Sequence, residues 1–195
     1  MKDISSIESR VDAMIGYSYN DFMTTNYNYP SYNAFEVEQP NSTPTYPFDK
    51  PQHTLISFYS RLNYFLKDRY LLTATVRYDG SSRFAESNRW GLFPSVAFAW
   101  KINQEAFMQD LTNLSDLKLR IGYGVTGQQD GIGNYDYIPT YSQGGLTDKY
   151  LIGDNFYNRS IPSAADRNRK WEQTATTNVG LDFGFYNQRI SGSID

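Results

Sequence analysis

"RYLLTATVRYD", residues 69 to 79, alternates without a break. One parity carries Tyr70, Leu72, Ala74, Val76 and Tyr78, and the other carries Arg69, Leu71, Thr73, Thr75, Arg77 and Asp79. Successive side chains of an extended chain point to opposite faces, so this is a strand with one apolar and one polar face. An aromatic residue stands at each end of the apolar run.

The same pattern recurs on both sides of it. "TLISFYSRLNYFL" sets Ile56, Phe58, Leu62, Tyr64 and Leu66 against Ser57, Tyr59, Arg61 and Asn63. "WGLFPSVAFAWK" aligns Trp90, Leu92, Pro94, Val96, Phe98 and Trp100. "LKLRIGYGVT" aligns Leu117, Leu119, Ile121, Tyr123 and Val125, with Lys118, Arg120, Gly122, Gly124 and Thr126 opposite. In "WEQTATTNVGLDFGF" the apolar parity holds Val179, Leu181, Phe183 and Phe185. "RVDAMIGYSY" and "RISGSID" add two more segments, which makes about seven strands and an all-β fold.

Composition agrees with this and narrows the function. Of 195 residues 17 are Tyr and 3 Trp, hydrophobic residues make up 39%, and mean hydropathy is -0.60. Tyr and Phe suit a pleated, half-buried surface. A formal net charge of -3 offers no basic footprint for nucleic acid. With no Cys and only His53, thiolate and histidine metal sites lack their parts, and no cofactor or resident metal is expected. No long apolar run exists to make a membrane helix, but a barrel strand needs only every second residue apolar.

Two architectures alternate in this way. A soluble sandwich, as in a carbohydrate-binding module, would bury the apolar face between two sheets. A membrane barrel would turn it to lipid between aromatic girdles and turn the polar face to a wet lumen. The pairs Tyr70/Tyr78, Trp90/Trp100 and Trp171/Phe185 bracket the apolar runs and favour the barrel. The connections agree, since 20–53, 80–89 and 127–170 are long, while 67–68, 102–116 and 186–188 are shorter. On this reading Leu72, Val76, Val96, Ile121 and Val179 face lipid. Arg61, Thr75, Arg77, Lys118, Arg120, Gly122 and Gly124 face the lumen. The 102–116 link is expected to hold a short helix, "QEAFMQDL", capped by Asn103.

"GYGVTGQQDGIGNY", residues 122–135, spells G-x-G-x-x-G, a dinucleotide-binding turn. That turn works only by opening a helix onto the pyrophosphate, and so many glycines will not propagate one. Gly122 and Gly124 instead fall on the lumen parity, where a missing side chain admits another backbone or lets the strand bend. Gly127, Gly131 and Gly133 read as turn residues entering the outer loop.

"YDGSSRF", "NRWGLFPS" and "YGVTG" followed by "IGNY" resemble, in the same order, the barrel of SusC/RagA-type TonB-linked outer-membrane transporters; the similarity covers 53–135 and 168–195. The resemblance implies a barrel of about 22 strands filled by a plug. Within it this chain is expected to be a partial barrel from the later half, spanning 1–195, without plug or signal peptide. Regions 20–53, 80–89 and 127–170 would be extracellular loops. It further implies the outer membrane of a Gram-negative, Bacteroidetes-like bacterium, TonB as the source of energy, a SusD-like surface lipoprotein as partner, and glycan or peptide as cargo. It implies no enzyme activity.

The longest loop carries Tyr135, Tyr137, Tyr141, Tyr150 and Tyr157, whose rings suit sugar faces or peptide side chains, or packing against a partner. Its acidic residues, Asp130, Asp136, Asp148, Asp154, Asp166 and Glu172, read as solubilising rather than as a glycosidase pair. Asp130, Asn134 and Asp136 could join a calcium site with loop carbonyls, although the EF-hand spacing is absent.

Overall fold

The computed structural model describes residues 2–4, 8–108, 111, 113–144 and 148–195. Its main feature is one antiparallel sheet of eight strands in sequence order. These are β1 (Lys2–Ile4), β2 (Ser9–Met23), β3 (Gln52–Leu66), β4 (Tyr70–Ser81), β5 (Trp90–Lys101), β6 (Leu114–Gln128), β7 (Glu172–Phe185) and β8 (Ile190–Ile194). The expected strands all form, and β1 adds an eighth that alternation does not reveal in three residues. Each pairs only with its sequence neighbours, as a meander requires.

The tight turns rest on left-handed backbone. Lys67 and Asp68 join β3 to β4 with φ of 52° each, and Tyr186, Asn187 and Gln188 join β7 to β8 with positive φ throughout. The expected helix at 104–110 does not form over its described part. Two 3-10 turns, Ile102–Gln104 and Ala106–Met108, stand there instead, and residues 109–110 lie outside the described ones. Asn103 does not cap a helix; its side-chain amide donates to the Ser115 carbonyl at 3.3 Å. The long connections are also less bare than expected. Short ribbons form between Asn26–Tyr27 and Phe48–Asp49, Tyr141–Gln143 and Ser160–Pro162, and Lys149–Ile152 and Asn155–Asn158.

Among the described residues no second sheet covers the first. Val76 and Val96 are 42% and 44% exposed, where a sandwich would bury both. None of the helical elements described is long and apolar enough to cross a membrane, which says nothing of strands. The deepest apolar side chains are Phe84 at 0% and Phe93 at 6% exposure, and both sit at one end of the sheet.

They lie at a seam. The β5–β6 ladder runs over seven pairs and stops at Ser95–Gly124, whereas β4–β5 runs over eleven and β6–β7 over fourteen. Pro94 has no N–H to donate, and the β5–β6 pairing ends beside it. Aromatic rings fill the wedge that opens: Trp171 packs against Phe84 at 5.1 Å and edge-on to Phe93 at 5.3 Å, and its indole N–H donates to the Arg89 carbonyl at 3.0 Å.

Candidate functional site

The pairing register decides which side chains share a face. Val179 lies opposite Ile121 and Ile121 opposite Phe98; Leu72 opposes Phe98, Val76 opposes Pro94 and Ala74 opposes Val96. The five residues read as lipid-facing thus share the apolar face. On the other, Arg61 opposes Thr75, Thr75 opposes Ser95, Ser95 opposes Gly124 and Ala97 opposes Gly122. Arg77, Lys118 and Arg120 share that side by alternation.

Aromatic rings order the apolar face. At one end Tyr17, Phe58, Trp90 and Tyr78 form a row across four strands, with centroids 5.2 Å (Tyr17–Phe58), 6.2 Å (Phe58–Trp90) and 4.8 Å (Tyr78–Trp90) apart. At the other end Tyr70 stacks with Phe98 at 6.4 Å and Trp100 at 6.3 Å. Ten residues from Trp90 to Trp100 cover about 33 Å at ~3.3 Å each. Tilted by ~40°, as barrel strands are, they span about 25 Å, the height of an outer-membrane apolar band.

Glu105 anchors the second row. One carboxylate oxygen accepts from the Tyr70 hydroxyl at 2.6 Å and the Trp100 indole N–H at 3.0 Å, and the other accepts from Arg69 at 3.1 Å. The Tyr70 hydrogen bond, then that of Trp100, hold this carboxyl below the ordinary carboxylate range. A depressed folded value contributes stability above the unfolded value, which is lost as pH falls through the folded one. We therefore expect Glu105→Gln to lower the heat stability of the assembled barrel at neutral pH. The gap to the parent should close below the ordinary carboxylate range. It is read as the temperature at which the compact band on a gel is lost.

The polar face carries two ion-pair clusters. Near the seam the Arg77 guanidinium contacts Asp79 at 2.6 Å and the Ser57 hydroxyl at 3.0 Å. Near the short turns Arg120 contacts Asp182 at 2.9 Å, Asp195 at 2.7 Å and Ser193 at 3.0 Å, and Lys118 stands 3.5 Å from Asp182. Alternation places these acids on the polar parity without showing that they pair with these arginines. Above Thr75, Ser95 and Gly124 a cleft of about 650 Å3 opens on this face, with Arg77, Asp79, Thr126, Phe93 and Trp171 along its sides.

The opening glycines acquire separate reasons. Gly131 is a turn residue with φ of 79°. Gly127 is not, because it lies inside β6, and a Cβ there would overlap the Phe93 ring. Gly122 looks onto open space, its nearest neighbour being the Val96 carbonyl at 4.0 Å. Gly133 is likewise outside the left-handed region; its N–H donates to Asp136 at 2.9 Å.

The loop tyrosines do not form one cluster. Tyr150 and Tyr157 oppose each other within one ribbon and are exposed, as Tyr141 is on the neighbouring ribbon. Tyr135 stands at the base, where its hydroxyl accepts from the Gln52 N–H at 3.2 Å. Tyr137 is half-buried. Two of the residues considered for calcium have protein donors: Asp136 accepts from Arg169 at 2.7 Å and Asn134 from Arg83 at 3.2 Å. Among the described residues no group of three or more His, Cys, Asp or Glu side chains is placed to hold a metal. Arg83, which also donates to the Gln129 carbonyl at 3.2 Å, is a loop-tying residue that sequence reading missed.

A family model described as "TonB dependent receptor-like, beta-barrel" matches residues 4–195. "TonB-dependent receptor SusC" of Bacteroides thetaiotaomicron is 53% identical over 144 residues, covering 74% of this chain and 14% of its own length. "TonB-dependent receptor P39" of Formosa agariphila is 36% identical over 181 residues, covering 90% of this chain and 15% of its own. Among solved structures, the RagAB peptide transporter superposes with a TM-score of 0.76 at 26% identity, over 98% of this chain and 21% of that one. The chain thus spans about a seventh of the length of the curated relatives it matches. These relatives are receptors and transporters rather than enzymes. One meandering sheet, two chemically opposed faces and a match along almost the whole chain lead to one conclusion: the chain belongs to the TonB-dependent receptor family, as a stretch of its β-barrel.

Proposed function

We propose that this chain is part of the wall and outer loops of a transporter in the outer membrane of a Gram-negative bacterium. The parent protein imports glycan or peptide nutrients with energy from TonB, and a SusD-like lipoprotein sits over the outer loops. The observation that carries the reading is the pair of aromatic rows, about 25 Å apart along a tilted barrel axis and on the apolar face alone. Leu72, Val76, Val96, Ile121 and Val179 then lie against lipid. Arg61, Thr75, Arg77, Lys118, Arg120, Gly122 and Gly124 line the lumen. Connections 24–51, 82–89 and 129–171 face outward, and Tyr135, Tyr137, Tyr141, Tyr150 and Tyr157 supply aromatic contacts for cargo or lipoprotein. Import by relatives such as the RagAB peptide transporter supports the cargo class.

Cys scanning of the full-length parent in intact cells tests the orientation. A Cys replacing Asp154, at the tip of the longest loop, should react with an impermeant thiol reagent. A Cys replacing Asp68 should react only after the outer membrane is breached. The reverse pattern would invert the topology, and equal labelling of both in intact cells would remove the membrane reading. Deleting the parent gene should abolish growth on the cognate oligomer while leaving growth on its monomer unchanged.

A further inference from the structure

Just beyond the aromatic row, on the outer flank of the seam, lies a shallow pocket of about 290 Å3, lined by Ser87, Asn88, Trp90, Lys170, Trp171 and Gln173, with Gly91 at its floor. Trp90 is the last ring of the row, stacked on Tyr78 at 4.8 Å and an interplanar angle of 15°. Gln173 falls on the parity of Val179 and so on the apolar face, whereas Glu172 falls on the other. No carboxylate lines the pocket. Lys170 makes no ion pair or hydrogen bond among the described residues, unlike Arg169 beside it, which pairs with Asp136 at 2.7 Å.

The pocket is held in shape from behind. The Trp171 indole N–H donates to the Arg89 carbonyl at 3.0 Å, and the Asn88 amide donates to the Arg167 carbonyl at 3.1 Å. These bonds tie the 82–89 connection to the end of the longest loop. They leave an ammonium, a hydroxyl and a carboxamide next to two indole rings. A flat apolar ring with a cation and neutral hydrogen-bonding groups beside it suits a phosphorylated sugar: the phosphate meets the ammonium, the hydroxyls meet Ser87 and Gln173, and an attached acyl chain runs down over Trp90 toward Leu92. Its place next to the aromatic row puts it at headgroup level.

We infer that this pocket binds the phosphorylated sugar headgroup of an outer-leaflet lipid, with Lys170 as the phosphate contact and Trp90 as the contact for the sugar–acyl junction. The inference rests on the membrane reading above. It makes the seam a lipid-recognising site beside the lumen cleft, with Trp171 standing between the two.

The test uses the purified full-length parent in phosphatidylcholine nanodiscs doped with lipid A or with fully dephosphorylated lipid A, bound lipid being counted by native mass spectrometry. The parent should retain lipid A and discard the dephosphorylated form. Lys170→Ala should lower retention about tenfold, the loss of one charge-assisted contact worth ~1.4 kcal/mol. Lys149→Ala, on the loop ribbon and outside the pocket's lining, should leave it unchanged. Equal retention of both lipids, or equal losses from Lys170→Ala and Lys149→Ala, would overturn the inference while the barrel reading stood. If Lys170→Ala does not assemble, Lys170→Gln replaces it, with the same result expected. A parent absent from the outer membrane would overturn the membrane reading, and this inference with it.

Discussion

Ala74→Arg is expected to remove most of the assembled transporter from the outer membrane, while Thr75→Arg, one residue along, leaves it in place. Ala74 stands four residues from both Tyr70 and Tyr78, at mid-height of the apolar band, between Leu62 and Val96 on the neighbouring strands. A guanidinium facing lipid at that depth costs about 2–4 kcal/mol. Val76→Arg, nearer the outer row, should cost less, because the penalty falls toward the interface. At Thr75 the new charge would sit opposite Arg61 and Ser95 in the proposed lumen. Its cost is then cross-strand repulsion, on the order of 0.2–1 kcal/mol. Both variants are scored by the heat-modifiable band in outer-membrane fractions. Equal assembly of Ala74→Arg and Thr75→Arg would sink the assignment of faces.

The second large effect belongs to a glycine. Gly127→Ala should destabilise the barrel by about 1–3 kcal/mol, the usual cost of overpacking, because the new Cβ would overlap the Phe93 ring. Phe93 has little room to retreat: it is 6% exposed and packs edge-on against Trp171. Combining Gly127→Ala with Phe93→Leu should recover part of the loss. Gly122→Ala, facing open space within this chain, should be neutral to within about 0.5 kcal/mol. The readout is the temperature at which the folded band collapses. If Gly122→Ala proves as damaging as Gly127→Ala, another segment of the parent packs on Gly122, and room for Phe93 is not what sets the glycine pattern.

The sheet was legible because its signal is local. A period of two repeated along strand after strand, with turn residues between them, gives both the strands and their faces, and adjacent pairing follows from a meander. Other features were hidden, each for a physical reason. The three-residue strand β1 is too short for alternation to register. The 104–108 segment has helix-forming composition, yet Glu105 is drawn into hydrogen bonds with Tyr70 and Trp100, and its carboxylate fastens the segment as 3-10 turns against the strand ends. The role of Gly127 depends on Phe93, more than thirty residues earlier, and no local pattern carries that. The polar parity was readable, but the Arg120–Asp182–Asp195 cluster depends on register across three strands. The loop tyrosines were visible as composition only; their separation into a base residue and a ribbon pair depends on how the loop folds back on itself.

The seam at Ser95–Gly124 also bears on the mechanics of the wall. Seven ladder pairs join β5 to β6, while the ladders on either side carry eleven and fourteen. The wall is therefore two stiff panels meeting along a soft upper edge, where contact between rings replaces the backbone ladder. Strain from a moving loop will concentrate along that edge, because a ring contact can slide where a strand ladder has to break. Backbone amides of residues 91–94 and 125–128 that face the wedge should exchange with solvent sooner than their neighbours lower in the same strands. The sheet can thus change shape locally at this end while the longer ladders keep their register.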